Sequence, residues 1–242
     1  MKLYERYHIH RRVQKHVISN NDFTYGLILR LIRKYAKRCL TVLDIGCGVG
    51  TIDFYLGQQG KKVLGLDVSK MAIKTARESA HKIGLNKFVN FVNMDFPKQK
   101  PKGKFELIIL SEVVEHLKDD KHVVNEISKL LEKNGILIIS SPSKNAPLYK
   151  WGWLNEFDKK VGHLRRYTSN DMRKLFEDKH FNILEEVKTE GLIRNFLFTN
   201  SFGGFLLKFL KRWPFSSAVT LLDNLTVKLF GESDIYMVIE KK

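Results

Sequence analysis

The sequence is poor in cysteine, proline and acidic residues. Its 242 residues include two cysteines and five prolines, and 26 Asp and Glu stand against 42 Lys and Arg. Two cysteines do not indicate a disulfide framework, and we expect a reducing compartment such as the cytoplasm. The net charge of +16 favours anionic partners such as nucleic acid, an acidic membrane surface or a phosphorylated substrate. A lysine-rich surface with no such role would carry the same charge.

Long hydrophobic runs are also scarce. Residues 1–16 are basic and polar, so we expect no secretory leader. The Phe- and Leu-rich stretch at 194–213 is too short and too polar for a bilayer span. Hydrophobic residues make up 43% of the chain and charged residues 28%, which indicates a globular chain with an adequate core. We expect a cytoplasmic protein, and association with a membrane surface stays open.

One stretch dominates the rest of the sequence: a strand pattern at 42–45 that runs into alternating glycines. The loop contains Gly46, Cys47, Gly48 and Gly50. Glycine lets a main chain approach a ligand closely and adopt positive φ. Asp44 precedes the loop, and Asp67 ends the next predicted strand, where α/β folds place the carboxylate that binds ribose hydroxyls. The pattern predicts a ligand with an adenosine end.

From residue 40, strand and helix patterns alternate, which is typical of an α/β, doubly wound parallel sheet. The predicted strands cover 41–45, 63–67, 89–93, 105–110, 136–140, 181–188 and 235–240. The predicted helices cover 23–36, 51–59, 70–83, 119–133 and 168–179. We expect a single domain, 1–242, made of a helical arm at 1–38, a core at 40–190, an apolar insert at 191–233 and a last strand at 234–241.

The motif order resembles that of the class I S-adenosylmethionine-dependent methyltransferases. The resemblance rests on 42–50, Asp67, 93–96, 105–117 and 130–135, and the string Gly-His-x-Arg-Arg-Tyr-Thr at 162–168 resembles a type 11/23-like branch. It implies a seven-stranded sheet of order 3-2-1-4-5-7-6 with an antiparallel last strand, and S-adenosylmethionine as cofactor. The implied cofactor-binding residues are Asp44, Gly46, Cys47, Gly48, Gly50, Asp67, Val68, Met94, Asp95, Phe96 and Ser111.

Within that set, the resemblance implies that Asp44 and the glycines hold the methionine end, Asp67 the ribose and Asp95 the adenine. A nicotinamide enzyme is the main competing interpretation, but its fingerprint is Gly-x-Gly-x-x-Gly. Here Gly50 comes one residue early, and the acids before the loop and after strand three favour the methyl donor. Less favoured interpretations are a metal-assisted RNA 2′-O-methyltransferase, a non-enzymatic adaptor that binds the cofactor, and a doubly wound fold without a cofactor.

Two clusters are candidates for the acceptor side. Glu112, Glu115 and His116 follow strand four, at the edge where α/β folds bind ligands, and His163 follows strand five. We take His116, His163 and Glu112 as candidate catalytic residues, because transfer to a hydroxyl needs a base or a metal that removes its proton. The string Glu-x-x-Glu-His also resembles metal-assisted O-methyltransferases.

A divalent metal is nevertheless not expected, because Glu-His after strand four is widespread in the superfamily without one. If a metal binds, the candidate ligands are Glu112, Glu115, His116 and His163. A purely structural role for these residues is the remaining interpretation. Arg165 and Arg166 either clamp a phosphate or carboxylate of the acceptor, or belong to a structural hydrogen-bond cluster.

The insert allows three interpretations. It packs on the core as a lid, it binds a greasy acceptor or lies on a membrane through 194–213, or it forms a dimer face. Lys208, Lys211 and Arg212 favour the membrane interpretation. We predict methyl transfer to an oxygen or nitrogen of a small acceptor, either anionic or linked to a lipid or sugar, by a monomer or homodimer. Nucleic acid is a less favoured partner.

Overall fold

The computed structural model describes residue 5 and residues 12–177, 180–212 and 214–242. The strands within these residues are β1 Thr41–Ile45, β2 Lys62–Asp67, β3 Val89–Asn93, β4 Phe105–Ser111, β5 Leu131–Pro142, β6 Phe181–Thr189 and β7 Asp234–Lys241. They form one sheet in the order β3-β2-β1-β4-β5-β7-β6. β7 runs antiparallel to β5 and β6, and the remaining described pairings are parallel. The predicted fold class and strand order are confirmed.

The helices of the described chain follow the strands in alternation. They are α1 Gly26–Tyr35, α2 Thr51–Gln58, α3 Lys70–Ile83, α4 Asp120–Leu130, α5 Pro147–Lys150, α6 Asn155–Val161, α7 Ser169–Lys174, α8 Leu192–Thr199, α9 Ser201–Leu210 and α10 Phe215–Phe230, with a short 3-10 helix at Val114–His116. The division into arm, core, insert and last strand within a single domain stays a prediction.

Two apolar cores lie on opposite faces of the sheet. In β4, Leu107 and Ile109 join the core that packs against α1, α2 and α3. Ile108 and Leu110, which point the other way because side chains alternate along a strand, join the core against α4 and α7. The central strand is therefore buried on both faces, as a parallel sheet between two helical layers requires.

Local capping sets several helix ends. Ser69 Oγ accepts the backbone N–H of Ala72 at the start of α3, which covers the predicted residues 70–83. Thr168 and Asp171 form the predicted reciprocal capping box of α7. That helix ends at Lys174, short of the predicted end at Lys179, and Lys179 lies outside the described residues.

Two more predicted helix bounds are wrong. α1 begins at Gly26 instead of Phe23, because Asp22 Oδ1 accepts the N–H groups of Thr24 and Tyr25 in a turn that precedes the helix. α4 ends at Leu130 instead of residue 133. Leu131 is fully buried and pairs with Phe105 in the sheet, so β5 begins five residues before the predicted 136.

The segment between β6 and β7 is helical. α8, α9 and α10 pack around a small separate core that contains Phe23, Leu197 and Val219. Asp223 of α10 is buried and accepts the N–H groups of Gly191 and Arg194, so it ties α10 to the start of α8. Among the described residues, no helix combines the length and apolar character that a membrane crossing needs.

The N-terminal arm lies against the glycine loop. The Gln14 side chain donates hydrogen bonds to Thr51 Oγ1 at 2.8 Å and to the carbonyl of Val49 at 3.4 Å. Most of the His and Arg cluster predicted for residues 1–16 lies outside the described residues, including His8 and His10.

Candidate active site

A cavity of about 1100 Å³ opens at the carboxyl ends of β1, β2 and β4. It gathers both groups of predicted site residues in one place. Its lining includes Asp44, Gly46, Cys47, Gly48, Asp67, Val68, Met94, Asp95, Phe96, Ser111, Glu112, Glu115, His116 and His163. Every predicted cofactor residue except Gly50 therefore faces the same space as the predicted catalytic residues.

The glycine loop is built from backbone hydrogen bonds. The N–H groups of Gly46 and Cys47 both donate to the carbonyl of Leu66, which fixes the loop to the end of β2. Gly48 donates its N–H to Asp67 Oδ2 at 2.9 Å, and Ser69 donates its N–H to Oδ1 at 2.7 Å. Two backbone donors thus hold the Asp67 carboxylate beside the loop.

Gly50 lies apart from the cavity that the other predicted loop residues line. It lies behind the loop as the residue before α2, with φ of 82°, and it does not line the cavity. A Cβ built on Gly50 would lie 2.6 Å from Cζ of Phe91, whose ring packs edge-on against Phe54. Core packing and loop conformation therefore require glycine at position 50, and its predicted contact with the cofactor stays a prediction.

The region predicted to hold the adenine lies along one wall. Met94 and Asp95 follow β3, and Phe96 is buried in the core beneath them. The Asp95 carboxylate pairs with Lys98 at 2.7 Å on the exposed side of the cavity. Asn93 donates side-chain hydrogen bonds to the carbonyls of Asp67 and Val68, which joins this wall to the end of β2.

Asp44 has an acidic neighbour that the sequence reasoning missed. Burial raises the pKa of Asp44 to about 7. Asp53, on α2, is fully buried, and among the described residues no donor of a conventional hydrogen bond reaches either of its carboxyl oxygens. Its carboxyl lies against that of Asp44, and burial followed by the Asp44 charge raises the pKa of Asp53 well above its ordinary value. Two buried carboxyls at one site cannot both ionise readily, so one of them keeps its proton at neutral pH.

Three residues on the acceptor side converge. Glu115 Oε1 lies 3.8 Å from His116 Nε2 and 3.9 Å from His163 Nε2. The potential ligand atoms of these residues lie within 4.8 Å of one another. Glu112, the fourth predicted metal ligand, is not part of this triad; it has φ of 56° and accepts a hydrogen bond from Ser140 Oγ at 2.8 Å.

Hydrogen bonds at the Nδ1 atoms orient both imidazoles. His116 Nδ1 lies 2.9 Å from the carbonyl of Gly162, and His163 Nδ1 lies 3.0 Å from Asp158 Oδ1. A carbonyl or carboxylate partner makes Nδ1 the donor, so the lone pair of each neutral ring is on Nε2, the atom that faces Glu115. Such partners are typical of histidines that bind a metal or accept a proton.

Burial sets the charge of this cluster. It raises the pKa of Glu115 well above its ordinary value, and the Glu112 carboxylate raises it further. Among the described residues, no hydrogen-bond donor reaches Glu115 Oε1. Burial also lowers the pKa of His116, so this imidazole is neutral at pH 7. Burial therefore favours the neutral forms of Glu115 and His116, whose potential ligand atoms lie close to His163 Nε2.

Arg165 and Arg166 belong to a structural cluster. Arg166 makes a bidentate contact with Asp158 at 2.8 and 2.6 Å. Arg165 pairs with Asp120 at 2.7 Å and donates to the carbonyl of Lys118. Both guanidinium groups are used inside the protein, which favours the structural interpretation over an anion clamp. Burial alone would raise the pKa of Asp158. The hydrogen bonds from Arg166 and His163 outweigh burial and hold this pKa below its usual value.

Comparisons with known proteins identify the family of this chain. A family model described as a methyltransferase domain matches residues 16–186. The chain belongs to this methyltransferase family. The predicted class I S-adenosylmethionine-dependent methyltransferase is thus confirmed, with S-adenosylmethionine as its cofactor. The nicotinamide and adaptor interpretations are not favoured.

Individual relatives match the methyltransferase in part. The ubiquinone biosynthesis O-methyltransferase of Pelagibacter ubique is 38% identical over 111 residues, which are 46% of this chain and 45% of that protein. The protein of the same name from Idiomarina loihiensis is 24% identical over 166 residues, or 69% of this chain and 68% of the relative. The first match thus spans about half the length of that relative.

Solved structures share the fold of the methyltransferase. Magnesium protoporphyrin IX methyltransferase from Synechocystis PCC 6803, solved with bound SAH, has a TM-score of 0.61 and 17% identity. The match covers 90% of this chain and 81% of that one. At this identity the likeness shows the fold alone.

The cavity of the methyltransferase also contains residues that the sequence did not single out. Glu190 directly follows β6, Asp234 is the first residue of β7, and both line the cavity. Three residues of α8 also line it: Asn195, Phe198 and Thr199. Burial raises the pKa of Glu190 to about 7 and that of Asp234 well above its ordinary value. The available signal was their position: an antiparallel β7 begins at the same sheet edge where the parallel strands end.

Proposed function

We propose that this methyltransferase transfers the methyl group of S-adenosylmethionine to a hydroxyl oxygen of a small acceptor that is linked to a lipid or sugar. One observation carries the proposal: the convergence of Glu115, His116 and His163 on the cavity that also contains the glycine loop. The relatives are named O-methyltransferases, which supports oxygen over nitrogen. An anionic acceptor loses support because Arg165 and Arg166 are already paired.

The residues present fit the cofactor. The loop of Gly46, Cys47 and Gly48 would hold the methionine end, and the Asp67 carboxylate is held where ribose hydroxyls can donate to it. Asp95 and the flanking Met94 would contact the adenine. Asp44 is buried beside the loop with a pKa of about 7, so a cationic ligand group would favour its ionised form. The cofactor supplies an electrophilic methyl group on a positively charged sulfur.

The histidines would remove the proton of the acceptor hydroxyl. During transfer a carbon–oxygen bond forms, the carbon–sulfur bond breaks, and the hydroxyl proton must leave. We assign His163 Nε2 as its acceptor, because Asp158 hydrogen-bonds Nδ1 of the same ring and stabilises the imidazolium that results. Burial lowers the pKa of His116, which disfavours a proton on that ring. Glu112 and Ser111 would contact the acceptor or the cofactor at the end of β4.

A second candidate mechanism rests on the donor set. One carboxylate oxygen and two imidazole nitrogens suit Zn²⁺ or another borderline divalent ion, and Asp158 and the Gly162 carbonyl supply the outer hydrogen bonds that metal-bound histidines usually have. Glu115, His116 and His163 would hold the ion, which would lower the pKa of the acceptor hydroxyl.

The proposal is tested with purified protein, a cell extract and methyl-labelled S-adenosylmethionine. Label is expected in the lipid or small-molecule fraction; label confined to RNA would favour an RNA methyltransferase and contradict the proposal. The variant His163→Gln is expected to lose about 10²–10⁴ in kcat, the usual contribution of a general base, while its Kd for S-adenosylmethionine is unchanged. His122→Gln is the matched control, because His122 is an exposed histidine on α4. Equal activity of both variants would remove His163 from the reaction.

A further inference from the structure

Two helices of the insert have apolar residues on their outer faces. On α9 these are Phe202, Phe205 and Phe209, which are 62%, 53% and 57% exposed. Their spacing of three and four residues places them on one side of the helix. On α10 an outer stripe of the same kind consists of Leu221, Leu222, Leu225 and Leu229, which are 54–75% exposed. Exposed apolar residues in such rows mark an interaction surface more often than scattered ones do.

The fold does not need these outer faces. Leu206, Leu207 and Leu210 of α9 and Val219 of α10 already pack into the small core with Phe23. The inner side of each helix is thus satisfied, and the outer rows are additional apolar surface. No other described residue buries these outer rows, so they are available to a partner.

The charges around this surface have one sign. Residues 191–230 contain a single acid, Asp223, which is buried and capped by backbone N–H groups. Their exposed charged residues are all cationic: Lys208, Lys211, Arg212 and Lys228. Cations beside an apolar helix face are the pattern of helices that lie in the interface of an anionic bilayer.

Two tryptophans extend the surface. Trp151 and Trp153 are 48% and 70% exposed and lie beside α5. The Trp151 ring is 6.4 Å from that of Phe230, the last residue of α10. Tryptophan favours the level of the lipid headgroups, because its ring is apolar and its N–H can donate to water or phosphate.

We propose that α9, α10 and the tryptophans at 151 and 153 dock the protein on an anionic lipid surface, without crossing it. A second copy of the chain is the less suitable occupant. In a two-fold interface each cation would meet the same patch of positive charge, whereas lipid phosphates complement it. The bounds of this surface differ from those of the predicted membrane-contact segment, 194–213. Asn195 and Leu197 of α8 are buried, and the exposed rows continue to Phe230.

The location of this surface suits a membrane-derived acceptor. Asn195, Phe198 and Thr199 of α8 line the cavity, while α9 and α10 pack against α8 and expose their outer faces. The insert is therefore both a cavity wall and the carrier of the docking surface. The docking itself does not depend on the proposed acceptor or reaction, so the two can fail separately.

Sedimentation with vesicles tests the docking surface. We expect the intact chain to pellet with vesicles of phosphatidylcholine and phosphatidylglycerol at low salt, and to be released by high salt or by phosphatidylcholine alone. The variant Phe205→Ser/Phe209→Ser removes two outer rings, and Lys208→Gln/Lys211→Gln/Arg212→Gln removes three cations. The triple variant is expected to weaken partitioning about a hundredfold, at about fivefold per cation.

Matched variants on other surfaces are the controls. Leu40→Ser/Met71→Ser removes two exposed apolar side chains, and Lys62→Gln/Lys82→Gln/Lys87→Gln removes three exposed cations, all outside the insert. The apolar control should pellet with vesicles as the parent does. The charge control should lose far less vesicle partitioning than the triple variant of the insert. Calorimetry with S-adenosylmethionine checks that every variant is folded, whatever its activity.

Three results would overturn the proposal. The first is no pelleting of the parent with anionic vesicles at low salt. The second is an equal loss in insert and control variants, which would mean that only the overall charge acts. The third is a concentration-dependent dimer that Phe205→Ser/Phe209→Ser dissociates, together with no binding of the parent to vesicles. This result would assign the surface to a second copy.

Discussion

Gly50→Ala tests whether this glycine serves core packing and loop conformation or serves cofactor binding. Gly50 has φ of 82°, and alanine in the left-handed region costs about 1–2 kcal/mol. The new Cβ would also lie 2.6 Å from Phe91 Cζ and 3.0 Å from Phe54 Cζ, and overpacking of a core usually costs about 1–3 kcal/mol. We expect the free energy of unfolding to fall by about 2–5 kcal/mol.

Gly60→Ala is a closely matched control. Gly60 has φ of 81°, but nothing lies within 4 Å of a Cβ built there. In Gly60→Ala only the conformational cost of alanine should lower the free energy of unfolding. The free energies of unfolding of the two variants should therefore differ by about 1–3 kcal/mol. For a chain of this length that is about 2–12 °C in Tm. Replacing Phe91 with Leu should recover part of the loss in Gly50→Ala, which a double-mutant cycle would measure.

Cofactor binding supplies the second readout for Gly50→Ala. Because Gly50 does not line the cavity, the Kd for S-adenosylmethionine well below Tm should rise by less than about fivefold. Calorimetry and thermal unfolding on the same samples measure both quantities. The reasoning is refuted if Gly50→Ala is no less stable than Gly60→Ala, or if the folded variant binds the cofactor far more weakly.

Two further predictions concern the metal and the buried acids. Dialysis against a chelator should abolish activity, and Zn²⁺ or Mg²⁺ should restore it, if the triad of Glu115, His116 and His163 holds an ion; activity that ignores the chelator would leave His163 as the base. Asp53→Asn removes a carboxyl whose pKa is raised, and such a group gives stability below its ordinary pKa that is lost as pH rises through the raised value. As pH rises from the ordinary carboxyl pKa through the raised one, the free energy of unfolding of this variant should therefore fall less than that of the parent, as urea denaturation would show; parallel curves would argue against the raised pKa of Asp53.

Much of the core was predictable because its signals are local. The bounds of β3 and α3 were correct, since alternation, a serine cap and a terminal glycine each act within a few residues. The cavity lining followed from one rule, that parallel strands end at the same sheet edge. Spacing did not reveal that Gly50 lies off the cavity, because it places a residue in a loop without saying which side of the loop the residue faces.

The missed features depend on long-range contacts. Asp53 is a single acid in an apolar helix, and only the fold brings it to Asp44. Glu190 and Asp234 lie 44 positions apart and meet because β7 runs backwards beside β6. The helices of the insert gave a weak pattern, because α10 is apolar on both its inner and outer sides and so lacks a clear polar face.

The pairing of β6 with β7 has an evolutionary consequence. Thr189 and Asp234 are direct partners in this antiparallel pair, so the chain leaves the sheet for the insert and returns to it at neighbouring points. A segment anchored in this way can change length at little entropic expense, because closure entropy grows slowly with loop length. Related chains can thus change the cavity wall that α8 forms, and the surface outside it, while the strands beneath the glycine loop stay as they are.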